Sequence, residues 1–144
     1  MCISLYAQSA LDLNKGIQYL KNNFPEKALP IFFAETEKQG GEKKAYLYLS
    51  VACIQMKKYS DAITWLTKGK ANDPTDAYLY SYNLGNAYYM QGAYELAFNA
   101  YTQAITENPY YAASFLNKAN TAMQLGKQQD ALVAYRTYLQ LEPT

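Results

Sequence analysis

Two pairs of asparagines carry the chemistry this chain can offer. Asn83 and Asn86 recur 34 residues later as Asn117 and Asn120. A carboxamide holds both a hydrogen-bond donor and an acceptor, so a row of them can bind the main chain of an extended peptide without reading its side chains. Tyr82, Tyr89, Met90 and Met123 stand beside them and would add apolar contact. Asparagine is a poor helix former, and four at equivalent positions ask for a reason. The competing use is structural, with the amides bonding the backbone of neighbouring helices.

Catalysis finds little support. The chain has no histidine, the commonest general base and metal ligand. It has no Gly-rich phosphate loop and no G-x-S-x-G elbow. Asp61, Asp73, Asp76, Glu95, Glu107 and Asp130 fall at expected helix starts and ends, where capping, dipole effects or solvation account for them. Cys2 and Cys53 form no metal or redox spacing, and Cys53 occupies a core position of the pattern described below. The expectation is therefore no catalytic residue, no metal and no cofactor. Thirteen basic residues against twelve acidic ones give no electrostatic reason to expect nucleic acid or an anionic membrane as partner. No run approaches the ~20 apolar residues of a membrane span.

The elements that must position the asparagines follow from an internal period. Ala28, Ala62, Ala97 and Ala131 are separated by 34, 35 and 34 residues. Phe32, Leu66, Tyr101 and Tyr135 follow each alanine by four, and Pro74, Pro109 and Pro143 close three of the units. Such a period marks stacked helical repeats that cannot bury their apolar faces alone. Eight helices in four units are expected, over about 9–42, 43–76, 78–111 and 112–144, with residues 1–8 as an extension. Charge and aromatics divide unevenly, since 11 of the 16 tyrosines lie from Tyr78 onward. The second half thus suits recognition by contact area and hydrogen bonds.

The third unit carries Leu84, Gly85, Tyr88, Tyr94, Ala97, Tyr101, Ala104 and Pro109. At these spacings it resembles the tetratricopeptide repeat, whose pattern is W-x2-L-G-x2-Y, then A-x3-F, then P. The resemblance implies an all-α, right-handed superhelix of helix-turn-helix repeats that binds a protein or peptide partner in a concave groove. The groove would be lined by the first helix of each unit, on a stripe spaced i, i+4, i+7. That stripe reads Leu13, Ile17, Leu20 and Leu47, Val51, Ile54 in units one and two. It becomes Tyr82, Asn86, Tyr89 and Leu116, Asn120, Met123 in units three and four. One variant of the family grips a terminal carboxylate with lysine, asparagine and arginine. Asn86 and Asn117 match its asparagines, but Tyr82 replaces the first lysine and no following unit supplies the other cations.

Both ends carry expectations of their own. Met1–Ala10 reads either as the tail of a secretory signal with a small-x-small site at Ala7-Gln8-Ser9, which would make the protein exported or periplasmic, or as a helical extension of a cytoplasmic one. In the second case Ile3, Leu5 and Tyr6 would cover the apolar stripe of the first repeats. Helix Gln128–Leu141 carries Leu132, Tyr135, Tyr138, Leu139 and Leu141 with no polar capping helix after it. A longer natural chain or a homo-oligomer through this helix would cover that face. A scaffold of this kind, or an exported binder of a small apolar molecule near Tyr82 and Tyr89, are the alternatives to peptide binding.

Overall fold

The computed structural model describes residues 2–143, with side chains from Ala7 onward. Among the described residues, eight α-helices fall in two compact units that meet in sequence at Asp73 and Pro74. The first unit holds α1 (Cys2–Lys21), α2 (Pro25–Thr36), α3 (Ala45–Gln55) and α4 (Tyr59–Asn72). The second opens with a 3-10 turn at Pro74–Asp76 and continues with α5 (Ala77–Met90), α6 (Tyr94–Glu107), α7 (Ala112–Gln124) and α8 (Gln128–Leu141). Within each unit consecutive helices pack on one another. The expected cover by Ile3, Leu5 and Tyr6 lies outside the described side chains.

Each repeat turns the same way. Five residues before the marker alanine the backbone enters the left-handed region, at Asn23 (φ 60), Lys57 (φ 60), Gly92 (φ 77) and Gly126 (φ 71). The next amide then reaches back across the helix end. Phe24 N donates to Tyr19 O at 2.8 Å, Lys58 N to Cys53 O at 2.8 Å, Ala93 N to Tyr88 O at 2.9 Å and Lys127 N to Ala122 O at 2.8 Å. This closure satisfies carbonyls that a helix end leaves open, and it sets the chain up to start the second helix.

The marker alanines Ala28, Ala62, Ala97 and Ala131 are buried, because short side chains let paired helices approach. In the first unit Leu20, Ala28, Phe32, Leu49 and Ala52 form the core, with Leu13, Ile17 and Val51 packed against it. Much of the aliphatic stripe of repeats one and two is thus absorbed in helix packing. Cys53 is 2% exposed, and burial pushes its thiol above the ordinary value, so it stays protonated and inert. In the second unit Tyr80 and Tyr101 are the large fully buried side chains, whereas Tyr88 is only half-buried.

Candidate functional site

The geometry of the second unit begins at Gly85. Its lack of a side chain lets the Tyr101 ring of α6 lie against α5. Tyr101 is 1% exposed, and its hydroxyl reaches Asn86 on the next residue of α5, donating to Oδ1 at 2.7 Å. Burial, and secondarily Tyr82, raise the Tyr101 phenol well above its ordinary value, so the hydroxyl remains a donor. From α7, Asn117 Nδ2 donates to the same Asn86 Oδ1 at 3.0 Å and to the Tyr82 hydroxyl at 3.1 Å. Tyr82 also packs on Tyr101 and edge-on to Tyr111, with centroids 5.9 and 5.2 Å apart. One polar knot with an aromatic wall therefore ties α5, α6 and α7 together.

The same geometry recurs one repeat later. Tyr135 of α8 donates to Asn120 Oδ1 at 2.6 Å. Asn83 differs, its Nδ2 donating to the Leu79 carbonyl of its own helix at 2.8 Å. The structure thus brings Tyr82, Asn86 and Asn117 into one bonded cluster. Asn120 is paired with Tyr135 instead, Asn83 with its own backbone, and Tyr89 with the Tyr94 ring at 5.2 Å. Met90 and Met123 are 55% and 51% exposed.

Each of the four carboxamides commits one end and leaves the other open. Among the described residues, Asn86 Nδ2 and Asn120 Nδ2 take no hydrogen bond, nor do Asn83 Oδ1 and Asn117 Oδ1. In chain order the open ends run acceptor, donor, acceptor, donor. Asn120 is exposed, and the other three are half-buried.

The sequence pattern puts Tyr101 and Tyr135 four residues after a marker alanine, with Tyr135 on the apolar face of the last helix, and gives no direct sign that their hydroxyls meet the asparagines. The available signal was the constant separation of 15 residues. It links Asn86 to Tyr101 and Asn120 to Tyr135, and links Ile17 to Phe32 and Val51 to Leu66 in the first two repeats.

A second polar cluster lies in the first unit, also unforeseen. Glu35 is 4% exposed and accepts hydrogen bonds from Ser9 Oγ, from Lys38 Nζ and from the Glu42 amide at 3.0 Å. Burial works against its charge, but those hydrogen bonds outweigh it and hold the carboxyl below its ordinary value. Glu35 borders an open cleft of about 1000 Å³ together with Ser9, Leu13, Lys38, Gly41 and Glu42. Among the described residues no group of three or more His, Cys, Asp or Glu could hold a metal ion. No described helix is long and apolar enough to cross a membrane.

The repeat geometry agrees with comparison to known proteins. Tetratricopeptide repeat patterns match residues 13–77, 79–111 and 112–144 in tandem. The chain belongs to the tetratricopeptide repeat family, whose all-α fold serves as a non-enzymatic module for protein–protein interaction. A crystal structure of MamA matches with a TM-score of 0.81 at 20% identity, over 93% of this chain and 78% of that one. MamA from Desulfovibrio magneticus RS-1 gives 0.79 at 18% identity, over 93% and 75% of the respective chains. These likenesses are of fold. The second tetratricopeptide domain of Spaghetti (RPAP3), solved with the HSP90 peptide SRMEEVD, gives 0.66 at 29% identity, over 76% of this chain and 99% of that one.

Proposed function

We propose that the surface of α5 and α7 binds an extended peptide or partner segment through its main chain. The observation that carries this reading is the alternation of open amide ends, Asn83 Oδ1, Asn86 Nδ2, Asn117 Oδ1 and Asn120 Nδ2. An extended chain offers N–H and C=O groups in turn, and this row can meet both. Tyr82, Tyr89, Met90 and Met123 flank the row and supply contact area without charge selection. The peptide bound to the Spaghetti domain supports peptide binding as such. Tyr82 in place of a lysine argues for main-chain recognition over capture of a terminal carboxylate.

The test is binding to an array of end-blocked 12-residue peptides. Asn120→Ala and the double change Asn86→Ala/Asn120→Ala are expected to lose capture of the peptides that the unaltered protein retains, with helicity unchanged by circular dichroism. Equal capture by both variants would remove the reading.

A second reading has one observation in its favour. On α8, Leu132, Val133 and Leu139 are 44%, 62% and 56% exposed. An apolar helix face of this kind suits a scaffold that self-associates. Sedimentation of the unaltered protein and of Leu132→Glu/Leu139→Glu separates the two readings. Loss of a dimer in the variant supports the scaffold, and a monomer in both excludes it.

A further inference from the structure

Asn86 and Asn117 are bonded to each other across two helices, and that bond restricts what either can show a partner. Asn117 Nδ2 on α7 donates to Asn86 Oδ1 on α5 at 3.0 Å. Their other neighbours are hydroxyls, Tyr101 at 2.7 Å from Asn86 Oδ1 and Tyr82 at 3.1 Å from Asn117 Nδ2. A phenol both donates and accepts, so either end of a carboxamide satisfies it, and the two ends are nearly alike in shape. Neither tyrosine settles which end of its asparagine faces inward. The amide–amide bond is the deciding contact.

That contact favours two arrangements out of four. With Asn86 Oδ1 facing Asn117 Nδ2, every inner hydrogen bond is made. With both amides turned by half a turn, Asn86 Nδ2 donates to Asn117 Oδ1 and to the Tyr101 hydroxyl, while Tyr82 donates to Asn117, so every bond is made again. If one amide turns alone, two oxygens or two NH2 groups face each other across the 3.0 Å gap. A hydrogen bond is lost and like partial charges meet.

The outer ends follow from this. In the first arrangement Asn86 offers an N–H and Asn117 an oxygen, and in the second the roles exchange. Among the described residues, neither asparagine has a buried polar atom without a partner, so the unbonded Asn86 Nδ2 and Asn117 Oδ1 reach solvent. The other two asparagines behave differently. Asn83 Nδ2 donates to the Leu79 carbonyl, which can only accept, so Asn83 shows its oxygen. Asn120 is bonded to the Tyr135 hydroxyl, which suits either end, so Asn120 turns by itself.

We infer that Asn86 and Asn117 turn as a coupled pair, so that this part of the surface always shows one donor with one acceptor and selects neutral amide groups over carboxylates. A carboxylate, or two carbonyls together, asks for two donors, which the pair supplies only by breaking its own bond. The inference rests on the peptide-binding reading for its biological use and names the chemistry preferred at this point.

Two neutral probes of one skeleton test the coupling. N-acetylglycine N′-methylamide carries N–H and C=O groups in turn, and its fully N-methylated analogue keeps both carbonyls without any N–H. The side-chain amide NMR signals of Asn86, Asn117 and Asn120 are followed as each probe is added. At Asn86 and Asn117 the methylated probe is expected to half-saturate at about fivefold higher concentration, the worth of one hydrogen bond. At Asn120 the two probes should act alike. In Asn117→Leu the pair is broken, and the ratio at Asn86 should fall to that at Asn120. The wild-type comparison decides by itself if that variant loses its helicity. A wild-type ratio at Asn86 and Asn117 no larger than at Asn120, no response there to either probe, or an undiminished ratio at Asn86 in a folded Asn117→Leu would each overturn the coupling. Peptide capture that survives Asn86→Ala/Asn120→Ala would remove the binding reading while the wild-type probe ratios stand, so the two failures are distinguishable.

Discussion

The Tyr101 ring occupies the space where any side chain at Gly85 would have to stand. A Cβ built on Gly85 would lie 2.4 Å from Tyr101 Cε1 and 2.6 Å from Cδ1, inside any real carbon contact. The ring cannot yield easily, since it is 1% exposed and its hydroxyl is bonded to Asn86. Gly85→Ala is therefore expected to destabilise the protein by about 1–3 kcal/mol, the usual cost of overpacking a filled core. It should also disturb the Asn86 side-chain amide. Urea unfolding measures the first effect, and a midpoint at or above the wild type would contradict it.

A second prediction concerns the turn of the second repeat. Lys57 adopts φ 60 at the position where repeats three and four place Gly92 and Gly126. A side chain in the left-handed region costs about 1–2 kcal/mol, and glycine's greater freedom in the unfolded chain gives back about 0.4–1 kcal/mol of any gain. Lys57→Gly is expected to stabilise by about 0.5–1 kcal/mol on balance. A lower thermal midpoint for the variant would show that the lysine side chain compensates for its backbone.

These two sites show what the sequence could and could not tell. The alanine period led to eight expected helices in four units, and the expected last helix, Gln128–Leu141, coincides with α8. Helix packing is periodic, so comparing equivalent residues recovers it. The Tyr101–Asn86 bond is not visible that way, because it joins different positions within one repeat and needs α5 and α6 to be placed first. Glu35 was missed for a related reason. Its partners Ser9, Lys38 and Glu42 converge only once α1, α2 and the loop after α2 are folded.

Glu35 carries the pH prediction. Its carboxyl is held below its ordinary value in the fold, so the folded state binds that proton less readily than the unfolded chain. The stabilisation it provides is present above the unfolded value and is lost as pH falls through the folded one. Glu35→Gln should lower stability at neutral pH and narrow the loss seen on acidification below the ordinary carboxylate range. Denaturant unfolding of both proteins from neutral to acidic pH gives the comparison. Parallel curves would mean that the carboxylate is not the group responsible.

Lys118 occupies a leucine position of the repeat pattern, and the structure shows how it is accommodated. Its ammonium stands 4.9 Å from the Phe98 ring centroid, and Lys127, bonded to Glu95 at 3.0 Å, approaches the same ring at 4.6 Å. The residue is half-buried, so the stem fills leucine's place while the head turns to the ring. Burial lowers its pKa, with Asp130 opposing, so the charged form is the less favoured one in the fold. The resulting cost is present at neutral pH and is relieved as pH rises through the folded value toward the unfolded one. Lys118→Ala forfeits the stem packing and a cation–π contact of about 0.5–1 kcal/mol. Lys118→Leu keeps the packing and removes the buried charge, so it should be more stable than Lys118→Ala. Urea unfolding ranks the two, and an NMR titration should place the Lys118 ammonium below the ordinary lysine value. A leucine variant weaker than the alanine one would mean that the cation, rather than the stem, holds this position.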